Sequence, residues 1–291
     1  MTKLSEPADP VVKRLRKIKG ETPDLEAAAD LYEAILPLLR DADLRLPPIH
    51  MTEDEVLAKT GAGLPLLQDI SLDIDMDTVR GLMIMLARAI ETKGDGRQSQ
   101  KSRAAHSIRL SLEEGSLDVA SIAGYLFSDE RSRVDAEAKG ADLDPDLLWT
   151  LAELALRPAF HAARLQLEPL CGDITWESGR CYVCGAVAAM GEFRGNNLLR
   201  HLRCGRCGAD WQYSRLKCLH CGNEDHRTLA FLYTDGEREK TRVDVCEKCM
   251  GYLKTVSSFS PIPSEMLQVE DLATLHLDYT AQQRGYVRNP F

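Results

Sequence analysis

The first 170 residues of this chain contain no cysteine; all nine lie between Cys171 and Cys249. That break is the sharpest change of texture in the 291 residues and predicts a domain boundary near residue 172. Long hydrophobic runs are missing too. The most apolar stretch, GLMIMLARAI over 81–90, is interrupted by Arg88 and falls far short of the roughly 20 residues a membrane-crossing helix needs. The opening MTKLSEPADP has no apolar segment of the secretory kind, so a signal peptide is not expected and the expected location is cytoplasmic. A reducing cytosol argues against disulfides for the nine thiols. Excess positive charge is absent as well: the formal net charge of −9 argues against a general nucleic-acid binder.

Catalytic signatures are equally scarce. The stretch DIDMDTVRGLMI (73–84) begins like a calcium loop, but its sixth position is Thr78 rather than glycine and its twelfth is Ile84 rather than glutamate. The turn and the bidentate ligand are both lacking, which leaves a turn and helix cap as the reading. Gly61 and Gly63 do not extend to G-x-G-x-x-G, because position 66 is Leu. Neither G-x-S-x-G nor H-E-x-x-H occurs, and no nucleophile–base pair is visible. A non-enzymatic role is therefore expected.

Apolar residues at helical spacing are what the first part does have. Ala28, Leu31, Tyr32, Ile35 and Leu39 form one stripe, and Val79, Leu82, Met83, Leu86 and Ile90 another. Further helices are predicted around 53–60, 104–113, 117–127 and 146–168, with Pro158 expected to kink or end the last. Residues 92–103 and 128–144 read as exposed loops. After Gly179 short aromatic-bearing runs such as HLRC, ADWQYSR and LAFLYT read as strands, with TDGEREK a turn between two of them. A final helix is predicted in VEDLATLHLDYTAQQ, with Glu270 and Asp271 near its positive end. The expected fold is α+β. An all-helical domain (1–172) precedes a first four-cysteine ribbon (173–212), a second (213–258) and a C-terminal tail with a short helix (259–291).

The cysteines come in four C-x-x-C pairs: Cys181/Cys184, Cys204/Cys207, Cys218/Cys221 and Cys246/Cys249. Each such turn presents two thiolates to one metal, and a second turn alongside closes a tetrahedron. The intervening segments have 19, 10 and 24 residues. A hairpin between paired turns commonly spans about 15–20 residues, so the ten-residue segment reads as the junction between two sites. Cys181, Cys184, Cys204 and Cys207 are expected to hold one metal, and Cys218, Cys221, Cys246 and Cys249 a second. An interleaved pairing, first turn with third and second with fourth, is the alternative. Glycines after Cys184, Cys207 and Cys221 suit turns whose amides approach sulfur.

Cys171 is left over and reads as a small linker residue. His201 and His220 flank cysteines but are not needed as ligands, since four sulfurs already complete each site. Trp211 and Tyr213 share a strand face and read as ribbon core. Four thiolates suit zinc, and equally a single iron of the rubredoxin kind; the donor set by itself favours zinc. Arg200, Arg203, Arg206, Arg215 and Lys217 cluster about the second and third pairs. They read either as compensation for thiolate charge or as a basic surface for an anionic partner.

The motifs CYVCG, LLRHLRCGRCGADWQYSRLKCLHCG, VCEKCMGYLK, EDLATLHLD and GYVRNPF resemble those of the formate dehydrogenase accessory proteins of the FdhE type. The resemblance covers roughly residues 180–291. Tyr182 stands where a proline is common, and Val269-Glu270 replaces a more usual Ala-Asp; neither change touches a thiolate. The resemblance implies a cytoplasmic maturation factor that binds iron at the eight paired cysteines in rubredoxin-like sites. It also implies contact with the catalytic subunit of a respiratory formate dehydrogenase. A rubredoxin-like electron-transfer protein and a zinc-ribbon nucleic-acid binder are the competing expectations.

Overall fold

The computed structural model describes residues 9–42, 44–93, 99–172, 174–234, 236 and 239–289. Parts of the expected loop over 92–103, of the turn over 234–240 and of the closing motif fall outside these residues. The chain divides into two compact units: Met1–Ile49 with Ser71–Ala163, and His50–Ile70 with Arg164–Phe291. The division is not the expected single cut near 172. Residues 50–70 leave the helical half and join the cysteine-bearing one.

The first unit is helical. Its elements are α1 (Pro10–Glu21), α2 (Glu26–Arg40), then α4 (Met76–Lys93), α5 (Gln100–Glu113), α6 (Val119–Phe127) and α7 (Arg131–Gly140), followed by α8 (Pro145–Leu167) as far as Ala163. Side-chain caps start several of these helices. Asp9 accepts from the Val11 amide before Pro10, Ser99 from Ser102, and Asp118 from Ala120 and Ser121. Asp75 accepts from the Asp77 amide and the Thr78 hydroxyl, so the stretch that begins like a calcium loop is the turn that opens α4. Val79, Leu82, Met83, Leu86 and Ile90 are buried along α4, as their spacing requires.

Two expectations fail here. Residues 128–144 are not all loop: α7 forms on just two buried apolar residues, Val134 and Ala138, with Arg131 and Asp135 paired one turn apart. Two apolar positions are too faint a period to notice in sequence. Pro158 does not end α8, which continues to Leu167. Ala155, Leu156, Ala159, Phe160 and Ala163 around it are all buried, and their packing outweighs the lost backbone hydrogen bond.

The second unit is built on one six-stranded sheet. Its strands are β1 (Met190–Arg194), β2 (Leu199–Arg203), β3 (Asp210–Gln212), β4 (Leu229–Leu232), β5 (Thr241–Cys246) and β6 (Gly251–Ser258), in the order β3-β2-β1-β6-β5-β4. Each cysteine ribbon contributes an antiparallel meander of three strands. The ribbons are fused rather than merely tandem, because β1 pairs in parallel with β6, Gly191 facing Thr255 and Phe193 facing Ser257. Gly191 is needed at the join: a Cβ there would lie 2.6 Å from the Thr255 hydroxyl.

The sheet has two unlike faces, set by the alternation of side chains along each strand. Helices α9 (Ser264–Ala273) and α10 (Leu275–Gln283) cover one of them. Val243, Val245 and Tyr252 pack there with Leu277 and Ala281, and Met190 and Val256 with Leu267. The expected single terminal helix is thus two, broken at Thr274, whose hydroxyl turns back to the Glu270 carbonyl. Among the described residues no helix is long and apolar enough to cross a membrane.

Candidate metal centres

Four turns of nearly identical build present the cysteines. In the first three, the amide of the leading cysteine donates to the carbonyl five residues on: Cys181 to Ala186 (2.8 Å), Cys204 to Ala209 (2.9 Å) and Cys218 to Asn223 (2.8 Å). The residue after the second cysteine then adopts a left-handed backbone, with φ of 74° at Gly185, 75° at Gly208 and 69° at Gly222. Glycine takes that conformation without steric cost. The fourth turn departs from the rule, with Met250 at φ 57°.

These turns bring the sulfurs together as two groups: Cys181, Cys184, Cys204 and Cys207, and Cys218, Cys221, Cys246 and Cys249. Within each group the four sulfurs lie within 4.8 Å of one another. The arrangement is the consecutive one, not the interleaved one. Cys181–Cys207 and Cys184–Cys204 are 3.5 Å apart, Cys218–Cys249 3.7 Å and Cys221–Cys246 3.8 Å. A tetrahedron with metal–sulfur bonds of about 2.3 Å has sulfur–sulfur edges of about 3.8 Å, so the donor sets fit a tetrahedral ion.

Electrostatics argues the same way. Burial pushes the Cys181 and Cys207 thiols well above their ordinary range. Cys204 is driven well down, by hydrogen bonds to its sulfur from Cys181 and Cys184. In the second group burial raises Cys218 to about 11 and Cys249 further still. Burial also opposes ionisation of Cys246, but the amides of Cys249 and Lys248 facing its sulfur bring it down. Each cage thus stabilises at least one thiolate, and a bound cation would supply the charge that lets the others ionise. Further donors reach sulfur: the Val183 amide to Cys181 at 3.4 Å, the Cys207 amide to Cys204 at 3.4 Å, and the Asn223 side chain to Cys246 at 3.6 Å.

The two cages differ in shelter. All four cysteines of the first are buried, whereas Cys221 and Cys249 of the second are partly exposed. The shelter comes from far away in the chain. Helix α3 (Glu53–Gly61) starts with a reciprocal Thr52–Glu55 capping box. The turn after it donates from Leu66 to the Tyr182 carbonyl (2.7 Å) and from Leu67 to the Val183 carbonyl (2.9 Å). Arg164 Nε, near the end of α8, donates to the Cys207 carbonyl at 3.0 Å. Nothing in the sequence of residues 50–70 marks them as a cover for a cysteine turn.

The remaining residues singled out by sequence fall into place around the cages. Cys171 joins neither group; its thiol donates to the Leu167 carbonyl and burial raises it to about 11. His201 contacts Asp210 at 2.8 Å and His220 the Tyr252 carbonyl at 3.2 Å, so neither ring is spent on a cage. Trp211 is buried edge-on to Tyr182 and donates to the Ser178 carbonyl, while the Tyr213 hydroxyl donates to the Cys218 carbonyl and ties the two ribbons.

The proposed basic surface is largely not a surface. Arg200, Arg203 and Arg206 are each only 4% exposed. Arg203 pairs with Glu192, which is wholly buried and also accepts from Arg194, Ser258 and the Ile262 amide. Such a carboxylate can stay ionised inside the protein because every lone pair has a partner. Lys254 is likewise wholly buried, against Asp271 and Asp278. Sequence reasoning missed these pairs, since a charged residue on a strand looks the same whether its partner covers it or water does.

A helical unit followed by a sheet that carries two four-cysteine cages defines an α+β protein whose donor sets are compatible with two mononuclear metal sites. The comparisons give this class a family likeness. Residues 216–291 match the family model described as FdhE, C-terminal domain. Over 153 residues the chain is 33% identical to a protein FdhE homologue of Pseudomonas aeruginosa, covering 50% of this chain and 49% of that one. It is 34% identical over 116 residues to protein FdhE of Escherichia coli, covering 38% of this chain and 37% of that one. The matched segment thus spans at most about half the length of these curated relatives. In fold the likeness runs further: the crystal structure of the FdhE protein from P. aeruginosa matches with TM-score 0.63 over 97% of this chain and 93% of that one, at 23% identity. The FdhE resemblance of the cysteine-flanking motifs is thus shown in sequence for the C-terminal part, and the fold is that of the FdhE crystal structure.

Proposed function

We propose that this chain is a cytoplasmic accessory factor for a respiratory formate dehydrogenase. In this reading it holds one iron ion at Cys181, Cys184, Cys204 and Cys207 and another at Cys218, Cys221, Cys246 and Cys249, and acts by binding the dehydrogenase catalytic subunit rather than by catalysis. The observation that carries the proposal is the pair of cages at tetrahedral sulfur spacing within the fold of an FdhE protein. The choice of iron comes from the family resemblance; the donor chemistry by itself would serve zinc. A bound ion would supply charge neutralisation in both sites and, if iron, a one-electron couple.

The deciding experiment is metal analysis with a visible absorption spectrum on protein purified without air, paired with recovery of the catalytic subunit in a pull-down. Two irons per chain, sulfur-to-iron charge-transfer bands and recovery of the subunit support the proposal. A colourless protein carrying only zinc after iron-replete expression removes the iron. Absence of the subunit removes the accessory role.

Electron transfer is a second reading, favoured by the partial exposure of Cys221 and Cys249. It requires a reversible midpoint potential at the second cage and formate dehydrogenase activity that survives loss of this chain. The nucleic-acid reading keeps only Arg215 and Lys217 of its basic cluster outside the core, because Arg200, Arg203 and Arg206 are buried.

A further inference from the structure

On the sheet face away from α9 and α10, beside the second cage, lies a pocket of about 210 Å³. Its walls are unusually rich in guanidinium groups. Arg200, Arg215 and Arg242 line it, and Asp244 is its one carboxylate. Phe231, Leu229 and Leu253 supply apolar wall, and Cys218 and Cys246 also line it.

The arginines are held in place by contacts that leave donors unspent. Arg242 lies between two rings, 4.3 Å from the Phe193 centroid and 4.8 Å from that of Phe231, and gives its Nε to Asp244 at 2.8 Å. Arg200 is fixed by the carbonyls of Ser214 and Lys217 and stacks on Tyr213, yet its buried Nε has no partner. Arg215 stacks on Phe193 at 5.2 Å and makes neither hydrogen bond nor ion pair among the described residues. Asp244 is already shared by Arg242, Arg200 and the Thr255 hydroxyl. Lys217, also in the wall, is drawn to Glu177 and Glu224. Donors therefore exceed acceptors, and an oxyanion is the group that matches a planar, charged donor set.

We propose that this pocket binds a small organic oxyanion, a carboxylate or phosphate ester with a compact apolar body. Arg215 and Arg242 clasp the charged head, and Phe231 and Leu253 face the body. The volume equals roughly seven water molecules, below the roughly 300 Å³ at which drug-sized sites begin, so a compact anion is the group that fills it.

The test is calorimetric titration of the full-length, metal-loaded protein without air, with benzoate, phenyl phosphate, inorganic phosphate and neutral benzamide as probes. One of the two aryl anions should saturate at one per chain, which also tells carboxylate from phosphate. Benzamide should bind at least about tenfold more weakly. Arg215→Ala, at an exposed side chain that makes a ring stack but no hydrogen bond or ion pair among the described residues, should weaken the anion about tenfold with both metals retained. Arg242→Gln should do the same. No saturation with either aryl anion overturns the proposal, as does unchanged affinity in Arg215→Ala. Inorganic phosphate binding as tightly as phenyl phosphate overturns the apolar part. Loss of a metal together with binding in Arg215→Ala also overturns it, because the arginine would then serve the thiolate charge. Metal content from the same samples keeps these outcomes apart from failure of the iron reading.

Discussion

The first cage is sealed and the second is half open, although both are made from C-x-x-C turns of similar build, the same donors and the same three-strand meander. What differs is lent by the rest of the chain. Residues 50–70 and Arg164 bond to the carbonyls of Tyr182, Val183 and Cys207 around the first cage. The second lies beside a pocket, with Cys221 and Cys249 partly exposed. Shelter slows ligand exchange and water entry, so an ion in the first cage is expected to exchange more slowly than one in the second.

The largest expected effect breaks one cage at a time. Cys181→Ser with Cys184→Ser should remove one metal and several kcal/mol of folding stability, since binding energy at a structural site is folding energy. Cys218→Ser with Cys221→Ser should also remove one metal but leave the first cage filled and cost less. Metal analysis with denaturant unfolding checks this; equal losses would erase the distinction between the cages.

Chelation gives the next effect. With excess chelator, one metal per chain should leave at least about tenfold faster than the other, and the fast one should be missing in Cys218→Ser. A single release phase for both would contradict the difference in shelter.

A pH-dependent difference should follow from Asp210, on β3 beside the first cage. Burial alone would raise its pKa, but donors from His201 and Arg194 hold it down to about 2, against an ordinary 3.8. A group depressed in the folded state contributes stability above its unfolded pKa, lost as pH falls through the folded one. Wild type should therefore exceed Asp210→Asn by about 2 kcal/mol at pH 5 and above, the gap closing between about pH 4 and pH 2. Unfolding midpoints of both proteins across that range test the sign.

The smallest effect concerns the turn that breaks the glycine rule. Met250 holds φ 57° where the other three turns use glycine, so Met250→Gly should stabilise the second cage by up to about 1 kcal/mol. Gly222→Ala, at φ 69° with no atom crowding its added Cβ, should destabilise by a similar amount. Opposite signs in the unfolding midpoints confirm that backbone conformation, and not packing, separates the turns.

Much of the candidate site was legible because its information is local. A C-x-x-C turn specifies its own geometry within five or six residues, and the ten-residue gap between Cys207 and Cys218 is too short to close a cage comfortably. The pairing therefore followed from spacing, as did the buried stripe of α4, and the turn that caps α4 was read from the failed calcium-loop match. Three features were decided only by tertiary structure. The cover over the first cage is drawn from 50–70, far from any cysteine. The parallel β1–β6 pairing turns two expected ribbons into one sheet. And Arg200, Arg203 and Arg206, a basic cluster along the chain, become buried, Arg200 against the carbonyls of Ser214 and Lys217 and Arg203 against Glu192. The physical reason is common to all three. A short-range turn is chosen by φ, glycine and sulfur within its own span, but burial of a charge or an edge depends on which distant element arrives to cover it.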